Sequence, residues 1–175
     1  MTHDRVSFLQ TLKSSYEAYY NLHEDYPSDG LPLAFRADFF SRDERFWITK
    51  SIPIWANETN EYLYLFSAAE YTPELVDKCI DFALNDGLPL VKPHKEHQYT
   101  NIICVFIGDN ISDECAKAIK ARSFNKSYNH SLHGFTMLKS IAVDLSTEKL
   151  VTNSAGHDLK SFYKKLFKSL SKKKQ

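Results

Sequence analysis

From Val6 to Leu22 the apolar residues Phe8, Leu9, Leu12, Tyr16, Tyr19 and Tyr20 recur at steps of three and four, which predicts an amphipathic helix. The stretch "DYPSDGLP" stops it with two prolines and a glycine. Next, "LPLAFRADFF" sets Leu33, Phe35, Ala37 and Phe39 against Ala34, Arg36, Asp38 and Phe40, a period of two that predicts a first strand. The charged "SRDER" reads as a turn into a second strand, "FWITKSIPIWA", apolar on both faces, in which Pro53 favours an edge or a bulge. "NETN" reads as a second turn, into a third strand, "EYLYLFSA".

"TPELVDKCIDFALNDG" carries the local signals of a helix: Thr72 to cap it, Pro73 at its first position, acids in the first turn and Gly87 past its end. "TNIICVFIGD" is a short, continuously apolar strand, and Ser112 is placed to cap a following helix that turns Cys115, Ile119 and Phe124 inward. "GFTMLKSIAVDL" and "KLVTN" flank "STE" as a hairpin. In "GHDLKSFYKKLFKSL" the residues Leu159, Phe162, Tyr163, Leu166, Phe167 and Leu170 fall on one helical stripe. The order α-β-β-β-α-β-α-β-β-α predicts an α+β fold: one mixed, mainly antiparallel sheet covered by helices, with a strand–helix–strand crossover between the fourth and fifth strands. Residues 1–170 read as a single domain and 171–175 as a basic frayed tail.

At 175 residues, 43% hydrophobic and 14% aromatic, the chain is long and apolar enough to bury a core without disulfides or metal as staples. The cysteines Cys79, Cys104 and Cys115 are odd in number and lack close pairing, which predicts reduced, buried thiols. No run reaches the ~18 apolar residues of a membrane helix, and no secretion signal opens the chain, so a cytoplasmic setting without membrane contact is expected. Net charge is zero, yet residues 1–90 hold 15 acids against 7 bases and residues 91–175 hold 7 against 15. Such a split suits an anionic partner or head-to-tail association, although folding intermixes the charges of a compact domain.

Two histidine pairs of equal spacing, His94 with His97 and His130 with His133, each precede an apolar strand. A parallel crossover places both at one sheet edge, where four imidazoles could hold zinc or another divalent metal, with Glu96 as a further ligand or as base for a bound water. The plainer reading of the same residues is solvated or hydrogen-bonded loop histidines, with no cofactor.

The order of helix, three strands, helix and strand is similar to the core of restriction-endonuclease-like nucleases, in topology only. That resemblance implies carboxylates on adjacent strands holding magnesium and an acid-x-lysine motif, but this chain reads "EYL", with Leu63 in place of the lysine. Asp38, Glu61 and Lys50 form a degenerate version if their strands register suitably. Cys104 lies in an apolar strand, where a thiol stays protonated and inert. Neither a G-x-S-x-G elbow nor a glycine-rich phosphate loop is present.

Seven lysines lie between Lys160 and Lys174, and Lys160, Lys164, Lys165 and Lys168 are candidate contacts to nucleic acid or another polyanion. A docked terminal helix needs the same solvated face, so this partner is not the favoured one. The aromatic residues, chiefly "SYEAYYN", Trp47, Trp55, Tyr62 and Tyr64, suit a small-molecule pocket or a protein interface as well as a core. Strands apolar on both faces also allow a homodimer.

The words "PHKEHQYTNIICVFIGD", "KSYNHSLHGFTMLKSIAVDL" and "LVTNSAGHDLKSFY" resemble an uncharacterised domain family of anaerobic bacteria and archaea, over nearly the whole chain. The resemblance implies one self-contained domain and carries no activity or site residues. The leading functional reading is a non-enzymatic binding or interaction domain that self-associates. Its alternative is a metal-dependent hydrolase or nuclease built on the histidine pairs or on Asp38, Glu61 and Lys50.

Overall fold

The computed structural model describes residues 3–46 and 53–173. Helix α1 spans Arg5–Glu17, where Asp4 caps the first turn by accepting the Ser7 amide hydrogen at 2.9 Å. Strands β1 (Asn21–His23), β2 (Leu33–Phe46) and β3 (Pro53–Ala68) follow, then helix α2 (Pro73–Gly87) and strand β4 (His97–Gly108). Helix α3 (Asp113–Ala121) leads to β5 (Asn125–Ser127), β6 (Phe135–Asp144), β7 (Leu150–Thr152) and helix α4 (Lys160–Lys173). The helix caps expected at Thr72 and Ser112 are present, each hydroxyl accepting an amide hydrogen three residues on.

The seven strands form one mixed sheet in the order β1-β2-β3-β4-β6-β5, with β7 also paired to β6. β4 runs parallel to both β3 and β6, and the other pairs are antiparallel. The crossover expected between the fourth and fifth apolar strands is therefore the β4–α3–β6 connection. Because β4 is central and helices lie on both sides, every residue from Ile102 to Ile107 is buried. Ile102, Cys104 and Phe106 join the core under α2 and α3, while Ile103, Val105 and Ile107 join the core under α1 and α4. Phe106 stacks on Phe66 with ring centroids 5.5 Å apart, and burying each such ring contributes about 2 kcal/mol.

Several boundaries differ from the sequence reading, among them the third helix, which ends at Ala121 before Phe124. The first helix ends near Glu17 rather than Leu22, since Asn21–His23 leave it to pair with Arg36–Asp38. "SRDER" and the "NETN" of the second expected turn are not turns: β2 and β3 run through them as one long hairpin. One opposite-charge pair across the ladder favours strand here, for Arg42 stands opposite Glu58 and bonds its carboxylate, while Asp43 faces the polar Asn57. Most of the expected second strand, residues 47–52 with Trp47 and Lys50, lies outside the described residues, and its end, residues 53–56, belongs to β3. Helix α4 continues through Lys173.

The outer edge of β6 is shared between β5 at Phe135–Met137 and β7 at Ile141–Val143. Asn153 fills the gap between them. Its side-chain oxygen accepts the Ser140 and Gly156 amides at 3.0 and 2.9 Å, and its amide group donates to the Leu138 and Arg122 carbonyls at 2.9 and 3.1 Å.

Candidate functional site

The parallel β4–β6 pairing sets Tyr99 beside Phe135 and brings the segments before the two strands together. His97 is buried there. Its Nδ1 hydrogen is donated to the His133 carbonyl oxygen at 2.7 Å, which leaves Nε2 to accept from the Thr100 hydroxyl at 2.9 Å. His94 lies apart from that bond: its Nε2 donates to Glu58 at 2.7 Å and its Nδ1 accepts the Glu96 amide hydrogen at 3.3 Å. Glu96 itself pairs with Arg42 at 2.8 Å. His130 is exposed in a left-handed turn, and the His133 ring lies 3.4 Å from the Asn129 side chain. The pairs thus meet through one ring and one carbonyl, and among the described residues no three His, Cys, Asp or Glu side chains converge as a metal set.

Asp38 and Glu61 are not brought together. In the ladder Asp38 stands opposite Tyr62 and Phe39 opposite Glu61, so the two carboxylates project from opposite faces of the sheet. Lys50, the third member of that set, lies outside the described residues. Leu63 is buried in the core under α1 and α4.

On the α2 face, Asp38 belongs to a network around Arg36. The guanidinium lies within 2.9 Å of Asp38 and 3.6 Å of Asp86, and its carbon sits 4.8 Å from the Tyr26 ring centre and 5.5 Å from that of Tyr62. Tyr26 and Tyr64 donate to Asp86 at 2.8 and 2.6 Å. The angles are poor at Arg36 itself, so its Nε and the Asp38 Oδ1 are buried without an aligned hydrogen bond although opposite charges are near. Arg36, Asp38 and Tyr62 floor a cleft of about 550 Å³ beside the Pro89–His94 loop. Most of its charges are matched internally, Arg36 by two acids and Glu58 by Arg42 and His94, while Lys92 also lines it.

The other face holds a different cavity, of about 390 Å³, between the end of α1, the start of α4 and the sheet. A chain of rings runs through it, from Phe39 to Tyr20 (5.4 Å between centroids), Tyr16 (5.2 Å), Phe162 (5.5 Å) and Tyr163 (5.0 Å). Tyr16 and Tyr163 share a buried hydroxyl–hydroxyl bond of 2.9 Å. Glu61 stands among the rings, accepting the Tyr20 hydroxyl hydrogen on one oxygen and the Asn101 side-chain amide on the other at 3.1 Å. Burial, reinforced by the Glu61 charge, pushes the Tyr20 hydroxyl far above the usual phenolic pKa, so it stays a donor. Beyond Glu61 the uncovered sheet continues with Tyr99 stacked on Phe135 at 5.9 Å. "SYEAYYN" was the legible signal for this cavity; Phe39 and Phe162 were legible only as core positions.

Lys164, Lys165 and Lys168 are exposed on α4 and Lys160 is half-buried. Phe167, between Lys164 and Lys168, helps line a shallow groove with Glu148. The three thiols are free and buried; burial pushes Cys79 up to about 12 and Cys104 higher still. No helix among the described residues is long and apolar enough to cross a membrane.

No curated protein and no solved structure matches the chain. Residues 4–165, from the α1 cap to the middle of α4, match the model of a single family, and by that match the chain belongs to the family described as a domain of unknown function, DUF8052.

Proposed function

We propose that this protein is a non-enzymatic binding domain and that its ligand seat is the aromatic cavity between α1, α4 and the sheet. One observation carries the reading: Phe39, Tyr20, Tyr16, Phe162 and Tyr163 form a continuous aromatic wall around one hydrogen-bonded carboxylate, in a concave site open to solvent. Ligand pockets combine apolar walls with a few placed polar groups in this way. The cleft on the α2 face is the weaker candidate because most of its charges, Lys92 apart, neutralise one another. Burial suppresses ionisation of the Tyr16, Tyr20 and Tyr163 phenols, and the Ser15 hydroxyl donates to the Thr11 carbonyl rather than to Glu61, which favours binding over a nucleophile–base reaction.

Self-association belongs to the same proposal. Among the described residues, β2 beyond Asp38 has no partner on its outer edge, and β3 before Glu58 has none on the side that later pairs with β4. Two open edges on one hairpin are a template for strand addition by a second copy. A cytoplasmic setting fits the three free, buried thiols.

The test is aromatic-resolved NMR of the full chain against a mixture of small compounds that join an apolar body to one polar head. Shifts concentrated on Tyr16, Tyr20 and Phe162 support the reading. No shifts at these rings with any compound, or shifts scattered over the surface, end it.

A further inference from the structure

We infer that the aromatic cavity takes a small organic cation, an ammonium group carrying apolar substituents, with Glu61 as its counter-ion. The inference rests on the binding-domain reading and adds the charge of the ligand to it.

Glu61 is, among the described residues, the only acid on the wall of this cavity, and both of its described bonds come from neutral donors, the Tyr20 hydroxyl and the Asn101 amide. Among the described residues no lysine, arginine or histidine lies within ion-pair distance of it. Lys139, on the same sheet face, is committed to Asp158 at 2.7 Å. The surroundings agree: the Tyr16 and Tyr163 hydroxyls are governed by burial, by each other, and by Tyr20 and Glu61, with no cation among the groups acting on them. Elsewhere Glu58 is matched by Arg42 and His94, and Asp86 by Arg36; the buried Asp144 is also held by neutral donors, but it closes a turn and lines neither the cleft on the α2 face nor this cavity.

A carboxylate held only by neutral donors inside an aromatic wall is an electrostatic half-site. Its two hydrogen bonds leave lone pairs free, since a carboxylate accepts about four. Aromatic ring faces carry partial negative charge and attract cations, so the wall and the carboxylate favour the same ligand sign and disfavour anions. Phe162 is 36% exposed and Tyr19 78% exposed at the mouth, where rings otherwise lose apolar area to water. A cavity of about 390 Å³ admits a molecule with an ammonium head and one apolar arm.

The experiment titrates the full chain, by aromatic-resolved NMR, with choline, with benzyltrimethylammonium, and with 3,3-dimethylbutan-1-ol, the neutral carbon analogue of choline. The expected result is shifts at Tyr16, Tyr20 and Phe162 with at least about tenfold tighter binding of a cation than of the alcohol. Glu61→Gln, which keeps a hydrogen-bonding group at that position, should abolish the preference while leaving the alcohol unaffected. Phe162→Leu, at a partly exposed ring, should weaken the cations by several-fold and the alcohol little. Equal binding of cation and alcohol overturns the charge inference and leaves the pocket reading standing. Absence of shifts at these rings with all three probes overturns both.

Discussion

His97 donates its Nδ1 hydrogen to the carbonyl oxygen of His133 across 2.7 Å, tying the head of β4 to the turn that precedes β6. The His97 ring is buried, and its second nitrogen is held by Thr100. His97→Ala removes both bonds, orphans a carbonyl and leaves a cavity, for a loss of about 2–4 kcal/mol in urea unfolding. His130→Ala, at an exposed turn residue, should change stability by less than about 0.5 kcal/mol. Equal effects from the two would show that the bond to His133 does not hold this edge.

The same corner depends on Gly134. Its φ is +75°, and a Cβ there would stand 2.4 Å from the His97 carbonyl oxygen and 2.5 Å from that of Gln98. Gly30 has a similar φ of +79° with nothing within 4 Å. Gly30→Ala should therefore cost only the left-handed penalty, about 1 kcal/mol, whereas Gly134→Ala should cost at least about 3 kcal/mol because backbone has to move. Thermal or urea denaturation of the two variants side by side checks the difference.

Asn153 replaces a missing piece of strand with four side-chain hydrogen bonds in a buried gap. Asn153→Ala should lose about 3 kcal/mol, since the Ser140 amide and Leu138 carbonyl are left without those partners. Asn153→Asp keeps the acceptor but sets a buried carboxylate oxygen against the Leu138 and Arg122 carbonyls, so a loss at least as large is expected at neutral pH. Hydrogen exchange should quicken first at Ser140 and Gly156.

Asp144 links acid sensitivity to the β6–β7 turn. Burial alone would raise its pKa, but bonds from the Ile111 amide, Ser146 and Thr147 together outweigh burial and hold the carboxyl below its usual value. A folded-state pKa below the unfolded one stabilises the protein above the unfolded value, near 4, and that contribution is lost as pH falls through the lower folded value. The urea midpoint of the wild type should drop between about pH 5 and pH 2, and Asp144→Asn should flatten that limb while lowering stability at neutral pH. An unchanged slope in the variant would remove Asp144 from the account.

Cys79, Cys104 and Cys115 should be inert while the chain is folded. All three are buried, and the pKa of Cys79 is pushed up to about 12 by burial, so almost no thiolate exists at neutral pH. A disulfide reagent should label the native protein only at the rate of unfolding, and all three thiols at once in denaturant. Rapid labelling of one thiol in the native state would contradict this packing.

Local physics made several features legible in the chain alone. Thr72 and Ser112 cap their helices because a hydroxyl one residue before a helix reaches its unpaired amides whatever lies around it. The unbroken apolar run from Ile102 to Ile107 belongs in a strand covered on both sides, and the three unpaired cysteines belong in the interior. Only the tertiary structure decided matters of register and layer. "SRDER" has the composition of a turn, and it became strand because Glu58, sixteen residues on, neutralises Arg42 across the ladder. Asp38 and Glu61 looked like one site, but strand side chains alternate with a period of two, so a register offset of one residue put them on opposite faces. Tyr20 reads as one more apolar helix position, and it became a wall of the cavity because the helix ended three residues earlier and the chain turned Tyr20 toward Glu61. Periodicity and caps act within a few residues, so the sequence alone determines them; pairing and burial across the sheet join residues dozens of positions apart, and those the packed structure alone decided.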